Sequence, residues 1–198
     1  MDIKEKIKIP KIHKNEINEF IKKIGKKSLK NFKYYNNPNK LEKNNQPYKP
    51  EIYDLYFLYK LITLNKRLSL LEFGSGWSTL ALSIGLHENK KKYINKVKHL
   101  RFEKPFSLTT VDNEKKFLNI TKKRIEKFYK NKQSIEIKYH YSNVEMCIHD
   151  SRICHEYSNL PVVNPDFIYL DGPDQFNIKG KINNFHIGHD DLMPMSLD

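Results

Sequence analysis

The residues Leu68 to Phe73 are almost continuously apolar and stop at Gly74-Ser75-Gly76, after which Trp77 opens a segment of helical character. A short apolar run that ends in a glycine turn and passes straight into a helix reads as the start of a βαβ unit, since a strand covered on both faces shows no polar alternation. This commits the chain to a parallel sheet with covering helices if further strands follow at suitable spacing. They do: Ser107 to Val111 reads as a second strand, Glu114 to Tyr129 as a helix with Leu118, Ile125 and Phe128 facing inward, Ser134 to Tyr141 as a third strand, and Asp166 to Leu170 as a fourth. In the third, Ile135, Ile137, Tyr139 and Tyr141 alternate with Glu136, Lys138 and His140, so one face is wet and the strand belongs at a sheet edge. The apolar run of the fourth suits a central position.

Upstream, Ile17, Phe20, Ile21 and Ile24 stand at helical spacing within residues 14 to 33, behind Asn15 as a cap, and predict a lysine-coated amphipathic helix. Tyr34 to Lys49, rich in Asn, Lys and Pro, has no periodicity and reads as a linker or flap. Glu51 to Asn65 places Ile52, Leu55, Tyr56, Leu58, Tyr59 and Ile62 on one broad stripe, so a second helix is expected to pack hard against the sheet. The organisation is therefore residues 1–49 as N-terminal helix and flexible linker, and residues 50–198 as an α/β domain. A chain of 198 residues, 38% hydrophobic, has enough apolar matter for one such core.

The formal charge of +13 points first to nucleic acid, but of 36 basic residues only Arg67, Arg101, Arg124 and Arg152 carry the guanidinium fork that base and phosphate recognition favour. The lysines are spread along the chain among many Asn and Ile, so charge argues for non-specific attraction rather than a nucleic-acid partner. No apolar run is long enough to span a membrane, and the N-terminus has no secretory pattern, so a cytoplasmic protein is expected. Two cysteines, Cys147 and Cys154, fit a reducing compartment. Their spacing with His149 and His155 matches no familiar metal pattern; no metal is expected, and one buried thiol with solvated histidines is the plainer reading.

Three acids mark strand ends in order: Glu72 in the first, Asp112 after the second, Asp171 after the fourth. Ligands of open parallel sheets sit beyond those ends, where Gly74 and Gly76 permit a tight turn and close approach and the next helix aims its free N–H groups. Asp112 is chemically suited to accept hydrogen bonds from a ribose diol, the plainer alternative being a helix cap.

The stretch Leu-Glu-Phe-Gly-Ser-Gly-Trp-Ser-Thr resembles motif I of class I S-adenosylmethionine-dependent methyltransferases, whose acid lies two residues before the first glycine. The resemblance extends over residues 50 to about 180. It implies a Rossmann-like α/β fold binding S-adenosyl-L-methionine through Glu72, Gly74, Ser75, Gly76 and Ser78, with Asp112 and Asn113 on the ribose hydroxyls and Ser142 and Asn143 near the adenine amino group. Asp171-Gly172-Pro173 resembles motif IV, beside the transferring methyl. Asp171 would then orient cofactor and nucleophile, with Pro173, Gln175 and Asn177 toward the substrate. The implied activity is methyl transfer to an O or N atom of a small molecule or sugar. Alternatives are a non-catalytic cofactor-binding remnant or interaction module and a nicotinamide-dependent oxidoreductase. A general base among His186 and His189, with Asp190 and Asp191, competes with the reading of these as solvated loop residues.

Departures from the family pattern are specific. Ser78 replaces the usual third glycine. Asp112 lies 36 residues beyond Gly76 rather than about 20, so a longer helix and an inserted loop are expected between Glu88 and Phe106. Only 27 residues follow Asp171. The family's C-terminal strands are therefore expected to be missing, by truncation or with another subunit, as in a homo-oligomer, or the tail covering the fourth strand's edge.

Overall fold

Among the residues that the computed structural model describes, 7–24, 50–130, 132, 134–174 and 177–186, four helices and six strands follow one another along the chain. They are α1 (Lys14–Ile24), α2 (Ile52–Leu64), β1 (Ser69–Phe73), α3 (Trp77–Val97), β2 (Ser107–Asp112), α4 (Lys115–Tyr129), β3 (Glu136–Tyr141), β4 (Val144–His149), β5 (Arg152–Tyr157) and β6 (Phe167–Leu170). The sheet order is β3-β2-β1-β6 with every pair parallel, while β4 and β5 form a separate antiparallel hairpin. The fold is thus α/β, a parallel four-stranded sheet flanked by helices. Among the described residues no helix is long and apolar enough to cross a membrane.

Strand register decides which side chains meet the helices. Ile137, Leu108, Leu70 and Phe167 lie in one row across the sheet and pack with Leu58 and Ile62 of α2 and Leu82 and Leu86 of α3. Each fully buried aliphatic side chain in such a layer contributes roughly 1.5–3 kcal/mol. The next row on this face, Tyr139, Thr110, Glu72 and Tyr169, carries a carboxylate into the interior. α2 and α3 cross closely because Gly85 has no side chain: a Cβ there would stand 2.9 Å from Ile62 Cβ. Outside this layer, α1 lays Ile17, Phe20 and Ile24 against Tyr56 and the α3–α4 surface, and the Tyr56 hydroxyl donates to Glu16 Oε2 at 2.6 Å.

β3 lies at the edge, as its alternation requires, although it begins at Glu136 rather than Ser134. α3 runs on to Val97 and a loop then returns the chain to β2, accounting for the long interval before Asp112. Two expectations need correction or restriction. β6, expected in a central position, pairs among the described residues with β1 alone, and Ile168 on its outer face is 58% exposed. The first helix is described only to Ile24, and the remainder of the expected 14–33 helix lies outside the described residues.

Residues 144–157, to which the sequence assigns no element, form a hairpin. Asp150 and Ser151 both adopt positive φ, 46° and 63°, which suits the tight two-residue turn whose twist matches that of its strands. Its inner face, Val144 and Met146, joins Ile178, Ile182 and Phe185 in a small second core. Residue 179 ties in by backbone, Lys179 N–H to the Val144 carbonyl at 2.9 Å and Met146 N–H to the Lys179 carbonyl at 2.8 Å. Cys147 and Cys154 face each other with sulfurs 3.2 Å apart. His186, read as solvated, is buried, and its Nε2 donates to the Ile178 carbonyl at 2.8 Å, so it fastens this segment.

Candidate functional site

The loops after β1, β2 and β6 converge at one end of the sheet. Gly74 turns the chain with φ +89°, and its N–H donates to the Val111 carbonyl at 2.8 Å. A Cβ at Gly74 would stand 2.5 Å from the Asp171 carbonyl oxygen, and one at Gly172 would stand 2.8 Å from Gly74 Cα, so the two loops touch backbone to backbone. Gly74 is therefore used for loop-to-loop contact. Gly76 differs: a Cβ there would meet only Ser78 Oγ, at 3.9 Å, which leaves open space in front of the first turn of α3.

Glu72 has no exposed surface and lies beneath this loop, on the helix side of the sheet. Its Oε2 accepts from the Thr79 hydroxyl at 2.6 Å, and Thr79 Oγ1 accepts from the Gly76 N–H at 2.9 Å, so a two-bond relay sets the loop's position. Burial lifts the Glu72 carboxyl to about 7; the hydroxyls of Ser78, Thr79 and Thr110 oppose this, and the charge of Asp171 adds to it. Oε1 is buried without a well-formed hydrogen bond. Where the resemblance would have Glu72 line the ligand, its position is that of a loop-holding group.

Asp112, at the tip of β2, is 3% exposed. Oδ2 accepts from Ser75 N–H (2.8 Å) and Ser75 Oγ (2.6 Å), and Oδ1 from Glu114 N–H (2.8 Å). Burial raises its carboxyl above the ordinary range, against these hydrogen bonds, with the charge of Asp174 adding to the rise. Asn113 is occupied elsewhere: its side chain donates to the Asp174 carbonyl at 3.1 Å and accepts the Asp174 N–H at 3.0 Å, clamping the β6 loop. Asp171 is anchored by its N–H to the Phe73 carbonyl at 2.8 Å, with an exposed side chain at the lip. Its carboxyl is held above its usual range by the protein around it, then by the charge of Asp54, against a hydrogen bond from Tyr169.

The remaining described residues singled out from sequence have contacts of their own. Ser142 is buried, its Oγ accepting the Asn159 N–H at 3.0 Å, and Asn143 Oδ1 accepts from the Tyr141 hydroxyl (2.7 Å) and from Lys179 (3.0 Å). These contacts join the β3 end to the hairpin. Ser78 is buried in the first turn of α3, Pro173 is half-buried, and exposed Asn177 donates to Asp174 Oδ2 at 2.9 Å. Gln175, His189, Asp190 and Asp191 lie outside the described residues. The Arg124 guanidinium covers one face of Trp77 at 4.3 Å, and burial lowers it to about 10.

One neighbour escaped the sequence reading. Tyr157 of β5 packs its ring 5.2 Å from Phe73, and its hydroxyl is buried without a hydrogen-bond partner among the described residues. The charge of Asp112 reaches it and, after burial itself, pushes the phenol up. The signal was the alternation of Ile153, His155 and Tyr157. Among the described residues no set of three or more His, Cys, Asp or Glu side chains is placed to hold a metal. Two cavities lie away from the strand ends, about 670 Å³ between α1 and α2 and about 290 Å³ beside the loop after α3. Compared with protein-family models, with curated proteins and with solved structures, the chain matches none.

Proposed function

We propose that the chain binds S-adenosyl-L-methionine in a Rossmann-like, class I methyltransferase arrangement and transfers its methyl group to an O or N atom of a small molecule or sugar. The observation that carries this reading is Asp112: a carboxylate at a strand tip, almost fully buried, beside the open approach at Gly76. The donor set fits the group, since a ribose diol needs a paired acceptor and the cofactor's carboxylate suits free N–H groups at the start of a helix.

The cofactor supplies an electrophilic methyl on a sulfonium. The chain's part is to bind, orient and exclude water, which is most of what an in-line displacement requires. Asp112 grips the ribose, Gly76 and the first turn of α3 receive the amino-acid end, and the Glu72–Thr79 relay keeps that loop in place. Asp171, with its raised carboxyl, is the better base for it and is suited to hold the proton released by the nucleophile. The test is transfer of labelled methyl from S-adenosylmethionine to a panel of hydroxyl and amine acceptors. Product with any acceptor, reduced at least tenfold by Asp171→Asn, supports the reading. Absence of transfer together with quenching of Trp77 fluorescence by NADH favours a nicotinamide enzyme instead.

A further inference from the structure

Asp112 is the residue of which a nucleoside would ask most, and its acceptor capacity is nearly filled. Oδ2 takes two hydrogen bonds from Ser75, through N–H and through the hydroxyl, and Oδ1 takes one from Glu114 N–H. A carboxylate offers about four lone-pair sites, two on each oxygen, so one site remains, on Oδ1. A ribose diol gripped through both oxygens needs one site on each. The Ser75 hydroxyl is an alcohol O–H donating to Oδ2 at 2.6 Å, the same chemistry that a ribose hydroxyl would bring.

We propose that the Ser75 hydroxyl competes with a ribose hydroxyl for Asp112 Oδ2, so that this serine sets the affinity of the site for nucleosides. The inference rests on the nucleoside reading above and deepens it. Ser75 is half-buried, and turning its side chain to another rotamer frees the oxygen while the backbone N–H stays bonded to it. The loop therefore keeps its anchor on Asp112 during the exchange. Ligands carrying the diol must displace the serine hydroxyl; ligands without it have no reason to.

Titration calorimetry of the whole chain and of Ser75→Ala, with adenosine, 2′,3′-dideoxyadenosine and S-adenosylhomocysteine, separates the outcomes. Ser75→Ala is expected to bind adenosine and S-adenosylhomocysteine about three- to tenfold more tightly, the net worth of one ordinary hydrogen bond, with dideoxyadenosine unchanged. Ser75→Gly, as a second variant should the first fold poorly, is expected to show the same selective gain. Equal or weaker adenosine binding by the variants overturns the competition, as does a gain of equal size for dideoxyadenosine. If the unaltered chain binds none of the three, the nucleoside reading falls and the competition with it.

Discussion

Glu72 shows how an interior position changes the chemistry of a familiar side chain. Its carboxyl sits at about 7 in the folded chain against an ordinary 4.5, because it has no exposed surface. A raised carboxyl in the folded state means the native form holds the proton more tightly than the unfolded one. Stability from this group is therefore complete below about pH 4.5 and is lost as pH rises through 7, by up to about 3 kcal/mol. Glu72→Gln is expected to remove that slope, so the difference in melting temperature between variant and parent grows in the variant's favour from pH 4.5 to pH 8. Thermal melts across that range check it, and parallel profiles would contradict it. At Gly74 the constraint is steric: Gly74→Ala drives a Cβ to 2.5 Å from the Asp171 carbonyl oxygen at φ +89°. A loss of roughly 2–4 kcal/mol is expected, read as a lower urea midpoint.

At the scale of elements, the hairpin β4–β5 is the piece that sequence reading missed, and it abuts the site through the Phe73–Tyr157 contact. Because the Tyr157 hydroxyl is buried with no partner among the described residues, Tyr157→Phe is expected to leave stability unchanged or raise it by up to about 1–3 kcal/mol. A drop of more than about 1 kcal/mol in urea unfolding would show that the hydroxyl does have a structural bond. The hairpin was hidden because Asp150-Ser151 lacks the glycine that marks such turns, and because Cys147, Cys154 and the histidines drew a metal comparison instead. By contrast β1, β2, α4 and the edge position of β3 were legible, since their apolar patterns are local. The glycine turn and the place of Asp112 at the end of β2 were legible for the same reason. The inward orientation of Glu72 follows from its sharing a face with Leu70, once the helices are known to cover that face. The Asn113 clamp on Asp174 joins residues 61 apart and leaves no local trace.

For the whole molecule, a net charge of +13 with few arginines predicts weak polyanion affinity of long range and little selectivity. Binding to duplex DNA of unrelated sequences is expected to be equal within about twofold and to weaken steeply between about 50 and 200 mM salt. Sequence-dependent retention at the higher salt would contradict it. The loops after β1, β2 and β6 are the place where the buried Asp112 carboxylate lies beside the open approach at Gly76. Whether a nucleoside is held there is decided most directly by titrating S-adenosylhomocysteine into the unaltered chain and into Asp112→Asn, with circular dichroism to establish that both fold. Binding by the first, and binding at least tenfold weaker by the second, is the expected result. Equal affinities, or no heat from either protein, would contradict the assignment of Asp112 to the ribose.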